Sequence, residues 1–187
     1  MGYSLSWAAV KNGKPEAIHA LLGLRATDVW ENRPKSKTVG TNLPTGWYVV
    51  LFKRKEVGDR TLTELSNIAE VVYCFVEDHV MFSRASGWKD GEFLWSVTHD
   101  CEKGGYHLEI KGDAPLSLKS IHAKLISKQD ASGGEKADVD YIYDTPAELA
   151  KDLTGFRHDQ DTPGMSKKPF QVLEKKTVFS RLFGGNN

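Results

Sequence analysis

The sequence lacks the features that mark secreted and membrane proteins. Its 187 residues include only two cysteines, Cys74 and Cys101, which are too few for a disulfide framework and are typical of a reducing compartment. No apolar run approaches the roughly 18 residues of a membrane span. The N-terminus also lacks the basic flank and the apolar stretch of a signal peptide. These absences predict a cytoplasmic protein without a membrane partner.

The chain also has no net charge, because 25 basic residues balance 25 acidic ones. The balance is uneven along the chain: residues 1–60 carry ten basic and five acidic groups, and residues 61–120 carry five and ten. Non-specific nucleic-acid binders usually have an uncompensated basic face, since neutralising phosphates provides most of their affinity. The composition therefore argues against a nucleic-acid partner. The positions where one would bind are Lys53, Arg54, Lys55, Lys167, Lys168, Lys175, Lys176 and Arg181.

Local patterns predict one α+β domain over residues 1–187, which is a usual length for a single domain. Short apolar runs separated by polar or glycine-containing links predict a central antiparallel meander at about 70–112. A helical and loop segment would follow at about 113–187. Helical apolar spacing predicts three helices that cover one face of a sheet of four to seven strands. These helices lie at 15–23, 116–129 and 146–154.

Three further segments have clear local signals. Residues 31–46 contain Pro34, Pro44 and two glycines, and this composition predicts a loop. Residues 141–143 form a short aromatic and apolar run that predicts a strand. Residues 170–173 have the pattern of an edge strand.

The turn Lys89-Asp90-Gly91 predicts a register for the hairpin around it, because a three-residue loop with a left-handed glycine would pair Trp88 with Glu92. A turn at Lys103-Gly104 would likewise pair Val97 with Ile110. Alternate residues of a strand point to opposite faces of the sheet. The face predicted to form the core contains His79, Met81, Ser83, Ala85, Phe93, Trp95, Val97, His99 and Cys101.

The opposite face places Asp100 across from His107 in this register. A carboxylate beside an imidazole orients the ring and raises its basicity, as a general base requires. Together with the neighbouring His99, these residues are the candidates for a small acid–base hydrolase. No Gly-x-Ser-x-Gly elbow accompanies them, and an exposed cross-strand ion pair is the structural alternative.

The core face also brings His79, His99 and Cys101 together near one end of the sheet. Two histidines and a cysteine can hold zinc with one position open, which would make the hydrolase metal-assisted. The chain has no CxxC or HExxH motif, and Cys101 could equally be a buried thiol. We therefore predict no metal and no other cofactor, and these three residues are the ones to test for metal binding.

A binding surface is the other hypothesis. Glu77, Asp78 and His79 connect two strands and would form a polar rim at the end of the sheet. Arg84 follows on the meander, and Trp88 lies beside a turn, where aromatic contact residues are often found. The small size, the segregated charge and the missing catalytic set favour a binding or protein-interaction module. An immunity-like protein that neutralises a protein partner, as a monomer or homodimer, fits this description.

Six segments resemble a family of uncharacterised bacterial proteins. The resemblance covers nearly the whole chain and implies a bacterial, cytoplasmic protein with one shared fold, without implying an activity. The segments are Trp7-Ala8-Ala9-Val10, Leu21-Leu22-Gly23-Leu24, Leu43-Pro44-Thr45-Gly46-Trp47-Tyr48-Val49, Glu77-Asp78-His79-Val80-Met81, Trp95-Ser96-Val97-Thr98-His99-Asp100 and Leu153-Thr154-Gly155-Phe156-Arg157-His158-Asp159.

Overall fold

A computed structural model describes residues 2–176; Met1 and residues 177–187, which include Arg181, lie outside the described part. It has nine strands, four α-helices and three short 3₁₀ turns at 101–103, 134–136 and 142–144. The strands are β1 Ser4–Lys11, β2 Leu24–Glu31, β3 Thr38–Asn42, β4 Trp47–Lys53, β5 Val71–Glu77, β6 Phe82–Lys89, β7 Glu92–Asp100, β8 Glu109–Gly112 and β9 Phe170–Lys175. The helices are α1 Pro15–Leu22, α2 Asp59–Ser66, α3 Ser117–Ala131 and α4 Thr145–Thr154.

All nine strands form a single sheet in the order β2-β9-β3-β4-β1-β5-β6-β7-β8. Every neighbouring pair is antiparallel. The α+β class and the meander from β5 to β8 are therefore confirmed, whereas the predicted size of four to seven strands is too small. Within residues 2–176, no helix is long and apolar enough to cross a membrane.

Helices cover both faces of the sheet. On one face, Trp7 of β1 belongs to the same buried apolar cluster as Leu149 of α4. Part of α3 also belongs to this cluster. Ala8, the neighbour of Trp7, points the other way and joins Ile18 of α1 and Leu62 of α2. The prediction that the helices cover one face is wrong, because strands buried on both sides need an apolar layer on each. Accordingly, β1 and β4 are almost continuously buried along their length.

The hairpin between β6 and β7 differs from its predicted register through a bulge. Its turn has two residues, so Lys89 pairs with Glu92, and an irregularity at Leu94 then shifts the pairing by one more residue. The total shift of two keeps His99 on the predicted core face, because side chains alternate with period two. Phe93, before the bulge, instead lies against Trp88, with the two rings 5.2 Å apart. The predicted pairing of Val97 with Ile110 in the next hairpin is confirmed.

Other local predictions were wrong where long-range contacts decide the structure. Residues 38–42, within the predicted loop, form β3, where Gly40 lets the Tyr48 hydroxyl approach the backbone: an added Cβ would lie 2.0 Å from that oxygen. Residues 142–144 form a 3₁₀ turn in place of a strand. Strand β9 lies between β2 and β3 and is not an edge strand. Within the predicted meander, β6 and β8 begin at Phe82 and Glu109.

Candidate functional site

His99 lies inside the core, with its side chain fully buried. Its Nδ1 is 2.8 Å from the carbonyl oxygen of His107, and its Nε2 is 2.9 Å from Oδ2 of Asp140, close enough for an ion pair but not aligned as a hydrogen bond. Both oxygens are hydrogen-bond acceptors, so each ring nitrogen of His99 faces an acceptor. Burial alone would raise the pKa of Asp140, but the adjacent ring of His99 and the backbone N–H groups of Ile142 and Tyr143 outweigh it and lower that pKa.

His107 and Asp100 meet through the backbone. The N–H of Asp100 donates to Nδ1 of His107 over 3.1 Å. The Asp100 carboxylate accepts from the N–H of Glu102 and lies 3.6 Å from Nζ of Lys103. The carboxylate therefore caps the short turn after β7, and the ring of His107 is positioned by the backbone.

The three candidates for metal binding occupy different surroundings. The ring of His79 is 69% exposed, with Nδ1 2.8 Å from Oε1 of Glu77. The thiol of Cys101 lies 3.2 Å from the carbonyl oxygen of Val80, while His99 is in the core. No group of three or more His, Cys, Asp or Glu side chains in residues 2–176 is arranged to hold a metal ion.

The predicted binding residues divide into a rim and two separate positions. Asp78 accepts hydrogen bonds from the Tyr3 N–H at 2.6 Å and the Tyr143 hydroxyl at 2.5 Å, so it joins the start of β1 to the 3₁₀ turn. The pKa of Glu77 is lowered mainly by a hydrogen bond from the Ser4 hydroxyl, and to a smaller extent by contacts with His79. Elsewhere, Arg84 lies 3.8 Å from Asp59, and Trp88 is a core residue with 5% of its surface exposed.

A buried network that sequence analysis missed surrounds Arg157, which is 8% exposed. Its guanidinium contacts Asp144 at 2.7 Å, Glu148 at 2.5 Å and Asp159 at 2.8 Å. Burial raises the pKa of Asp144, although Arg157 opposes this shift. From the sequence, Arg157 and His158 are explained by their position near the C-terminus of a helix, where cations are favourable without any ligand. The only local signal was a pair of carboxylates four residues apart, Asp144 just before α4 and Glu148 within it, a spacing that places them side by side.

A cavity of about 820 Å³ lies beside this network. It forms where β1 begins, next to the ends of β4 and β5, because antiparallel neighbours bring opposite strand ends together. The loop between β2 and β3 and the segment from α4 to β9 complete its wall. Five separate parts of the chain therefore build one concave site.

The floor of this cavity is apolar and its rim is basic. Four floor side chains are at most 8% exposed: Leu5, Leu51, Phe156 and Phe170. Four cations lie around them, and within residues 2–176 none has a carboxylate oxygen within 4.0 Å: Arg33, Lys53, Arg54 and Lys167. The basic segments 53–54 and 167, far apart in sequence, thus meet at one site.

A second cavity of about 440 Å³ adjoins the first, and both are lined by Tyr3, His158 and Asp159. Burial lowers the pKa of His158 to about 4, so this imidazole is neutral near pH 7. The polar residues at 77–79, predicted to lie at the end of the sheet, are found between the two cavities. His79 lines the larger cavity and Asp78 lines the smaller one.

Comparisons with protein-family models, with curated proteins and with solved structures found no match to this chain. The resemblance to a bacterial family therefore stays a prediction, and functional inference depends on the site itself.

Proposed function

We propose that this protein is a binding module whose ligand is a small molecule held in the larger cavity. The observation that carries the proposal is the cavity itself, which combines a buried apolar floor with polar and charged groups around it. Small-molecule sites in proteins are typically concave, mostly apolar and about 300–1,000 Å³ in volume. At about 820 Å³, this cavity falls within that range.

Backbone geometry at the rim supports the same proposal. Arg54 has a φ of 51°, a left-handed conformation that costs energy for a residue with a side chain. Its N–H donates to the carbonyl oxygen of Ser4 over 2.8 Å, which ties the end of β4 to the start of β1. Strained residues of this kind cluster at ligand sites, where the surrounding structure maintains them.

The contacts of His99 support the hydrolase hypothesis less than the cavity supports a binding module. A general base must reach the proton that it removes, and the buried ring of His99 has an oxygen beside each nitrogen. The hypothesis of an immunity-like protein is also less supported, because it needs residues 77–79 to bind a protein partner. Both carboxylate oxygens of Asp78 already accept hydrogen bonds within the chain. A small ligand in the cavity requires neither group to be free.

Binding of the fluorescent probe N-phenyl-1-naphthylamine tests this function. We expect saturable binding that the substitution Ser166→Trp weakens at least about tenfold, because Ser166 lines the cavity and the indole would occupy its volume. Ser132→Trp, at an exposed position outside the lining, is the matched control and should bind as the unmodified protein does.

Two results would contradict the proposal. One is equal binding by both tryptophan variants, which would place the probe elsewhere. The other is that the unmodified protein saturably binds neither this probe nor its sulfonated analogue, 8-anilinonaphthalene-1-sulfonate. Circular dichroism should confirm that each variant is folded.

A further inference from the structure

We infer that the larger cavity selects organic anions, meaning molecules that join a carboxylate, sulfonate or phosphate group to an apolar body. This inference rests on the proposed binding function and adds the chemical class of the ligand. It depends on the charge balance of the cavity, on how its cations are positioned, and on where they lie relative to the apolar floor.

The charge balance of the lining is positive. Four arginine and lysine side chains line the cavity, against two carboxylates, Asp159 and Asp161. Asp159 is already bound by Arg157, with 2.8 Å between Nε and Oδ1. His158 is neutral near pH 7 and adds no charge of either sign. A concave site with an excess of charge of one sign attracts ligands of the opposite sign.

One of these cations is held by a backbone oxygen, and the backbone of another is fixed. Nζ of Lys53 donates to the carbonyl oxygen of Lys35 over 2.9 Å, an interaction with an uncharged group. The backbone of Arg54 is fixed by its left-handed conformation and by the hydrogen bond from its N–H to Ser4, which determines where its side chain begins. Cations positioned in advance lose less conformational entropy when a ligand binds.

The positive charge also lies directly beside the apolar floor. Lys53 and Leu51 are two residues apart on β4 and therefore point to the same face of the sheet. Across the strand pair, Lys53 is the register partner of Leu5 on β1. A ligand whose apolar body covers Leu5 and Leu51 would bring an attached anionic group within reach of Lys53. An inorganic anion would leave this floor unused.

A matched pair of probes tests the inference. 8-Anilinonaphthalene-1-sulfonate has the skeleton of N-phenyl-1-naphthylamine with an added sulfonate. We expect the sulfonate to bind at least about tenfold more tightly at low salt, and the difference to shrink as the salt concentration rises. Binding of the two probes with equal affinity would overturn the inference and leave the proposed function standing, whereas binding of neither would overturn both.

Charge-removing variants locate the effect. Lys53→Met and Lys167→Met should each weaken sulfonate binding about fivefold and leave binding of the uncharged probe unchanged. Lys55→Met and Lys168→Met are matched controls, because these lysines are close in sequence to the first two but do not line the cavity. Equal losses in all four variants would overturn the inference, since the anion would then respond to the overall charge of the protein.

Displacement of the bound sulfonate probe distinguishes the anionic groups. Octanoate and octyl phosphate carry the same alkyl chain, and octanol is their uncharged analogue. Displacement by octanoate alone supports a carboxylate ligand, displacement by octyl phosphate alone supports a phosphate ligand, and displacement by both supports a general organic-anion site. Displacement by octanol at the same concentrations would overturn the inference.

Discussion

Side chains at the cavity end of the sheet are fixed by polar contacts, of which those of Arg157 are the most buried. Arg157 contacts three carboxylates, and Asp78 accepts hydrogen bonds from Tyr3 and Tyr143. Removing one partner of a buried ion pair generally costs about 3–5 kcal/mol, because an unpaired charge is left behind. These residues therefore hold the cavity wall in place and need not touch the ligand.

His158 should make stability depend on pH. Its pKa is about 4 in the folded protein against an ordinary value of 6.5, because burial outweighs the attraction of Asp159 and Asp78, and Arg157 adds to the lowering. Between these values the unfolded chain binds a proton that the folded chain does not. The stabilisation is therefore complete above about pH 6.5 and is lost as the pH falls towards 4.

Urea unfolding at pH 7.5 and pH 5 measures this effect. When the pH falls from 7.5 to 5, the free energy of unfolding of the unmodified protein should decrease by about 2 kcal/mol more than that of a His158→Gln variant. His79→Gln, at a position where the ring is 69% exposed, should behave like the unmodified protein. An identical pH dependence in all three proteins would contradict the assignment to His158.

At the scale of elements, the bulged hairpin from β6 to β7 shows how one close contact constrains a strand. The indole of Trp95 lies over Gly87, its partner on β6, and a Cβ at that position would be 2.1 Å from Nε1. Only glycine leaves room for this ring. The hairpin thus combines a turn set by Asp90-Gly91 with packing that turn chemistry does not specify.

The substitution Gly87→Ala should accordingly destabilise the protein by about 2 kcal/mol, the usual cost of forcing an extra methyl group into a packed site. Gly105→Ala is the control, because nothing lies within 4 Å of a Cβ added there. Denaturant unfolding followed by tryptophan fluorescence would measure both. A Gly87→Ala variant as stable as the control would show that Trp95 moves aside without cost.

For the whole molecule, the main consequence of the fold is that two helical layers enclose one sheet. Leu62 of α2 and Leu149 of α4 are both essentially inaccessible, on opposite faces. If both layers belong to one cooperative unit, each contributes to the same unfolding transition. Leu116, just before α3, is 89% exposed and belongs to neither layer.

Leu62→Ala and Leu149→Ala should each lower the free energy of unfolding by about 3 kcal/mol, the range found for buried leucines. Leu116→Ala should change it by less than about 0.5 kcal/mol. Circular dichroism and tryptophan fluorescence should report a single, coincident transition in each variant. Two separate transitions would mean that one helical layer unfolds independently of the sheet.

The sequence by itself determined the features that depend on neighbouring residues. Apolar runs and turn residues predicted the meander, the pairing of Val97 with Ile110, and α3 and α4 to within two residues, because local burial patterns and turn geometry encode them. The rim at 77–79 was also predicted from its position between two strands, and it borders both cavities.

Only the tertiary structure decided which distant residues meet. The interior position of β9, the helices on both faces and the carboxylates around Arg157 follow from strand order and packing, which no local pattern encodes. The same holds for Lys53 and Lys167, which are 114 positions apart in the sequence and line one cavity. A chain with zero net charge can thus contain a positively charged cavity, because folding determines which charges lie together and which are neutralised by partners.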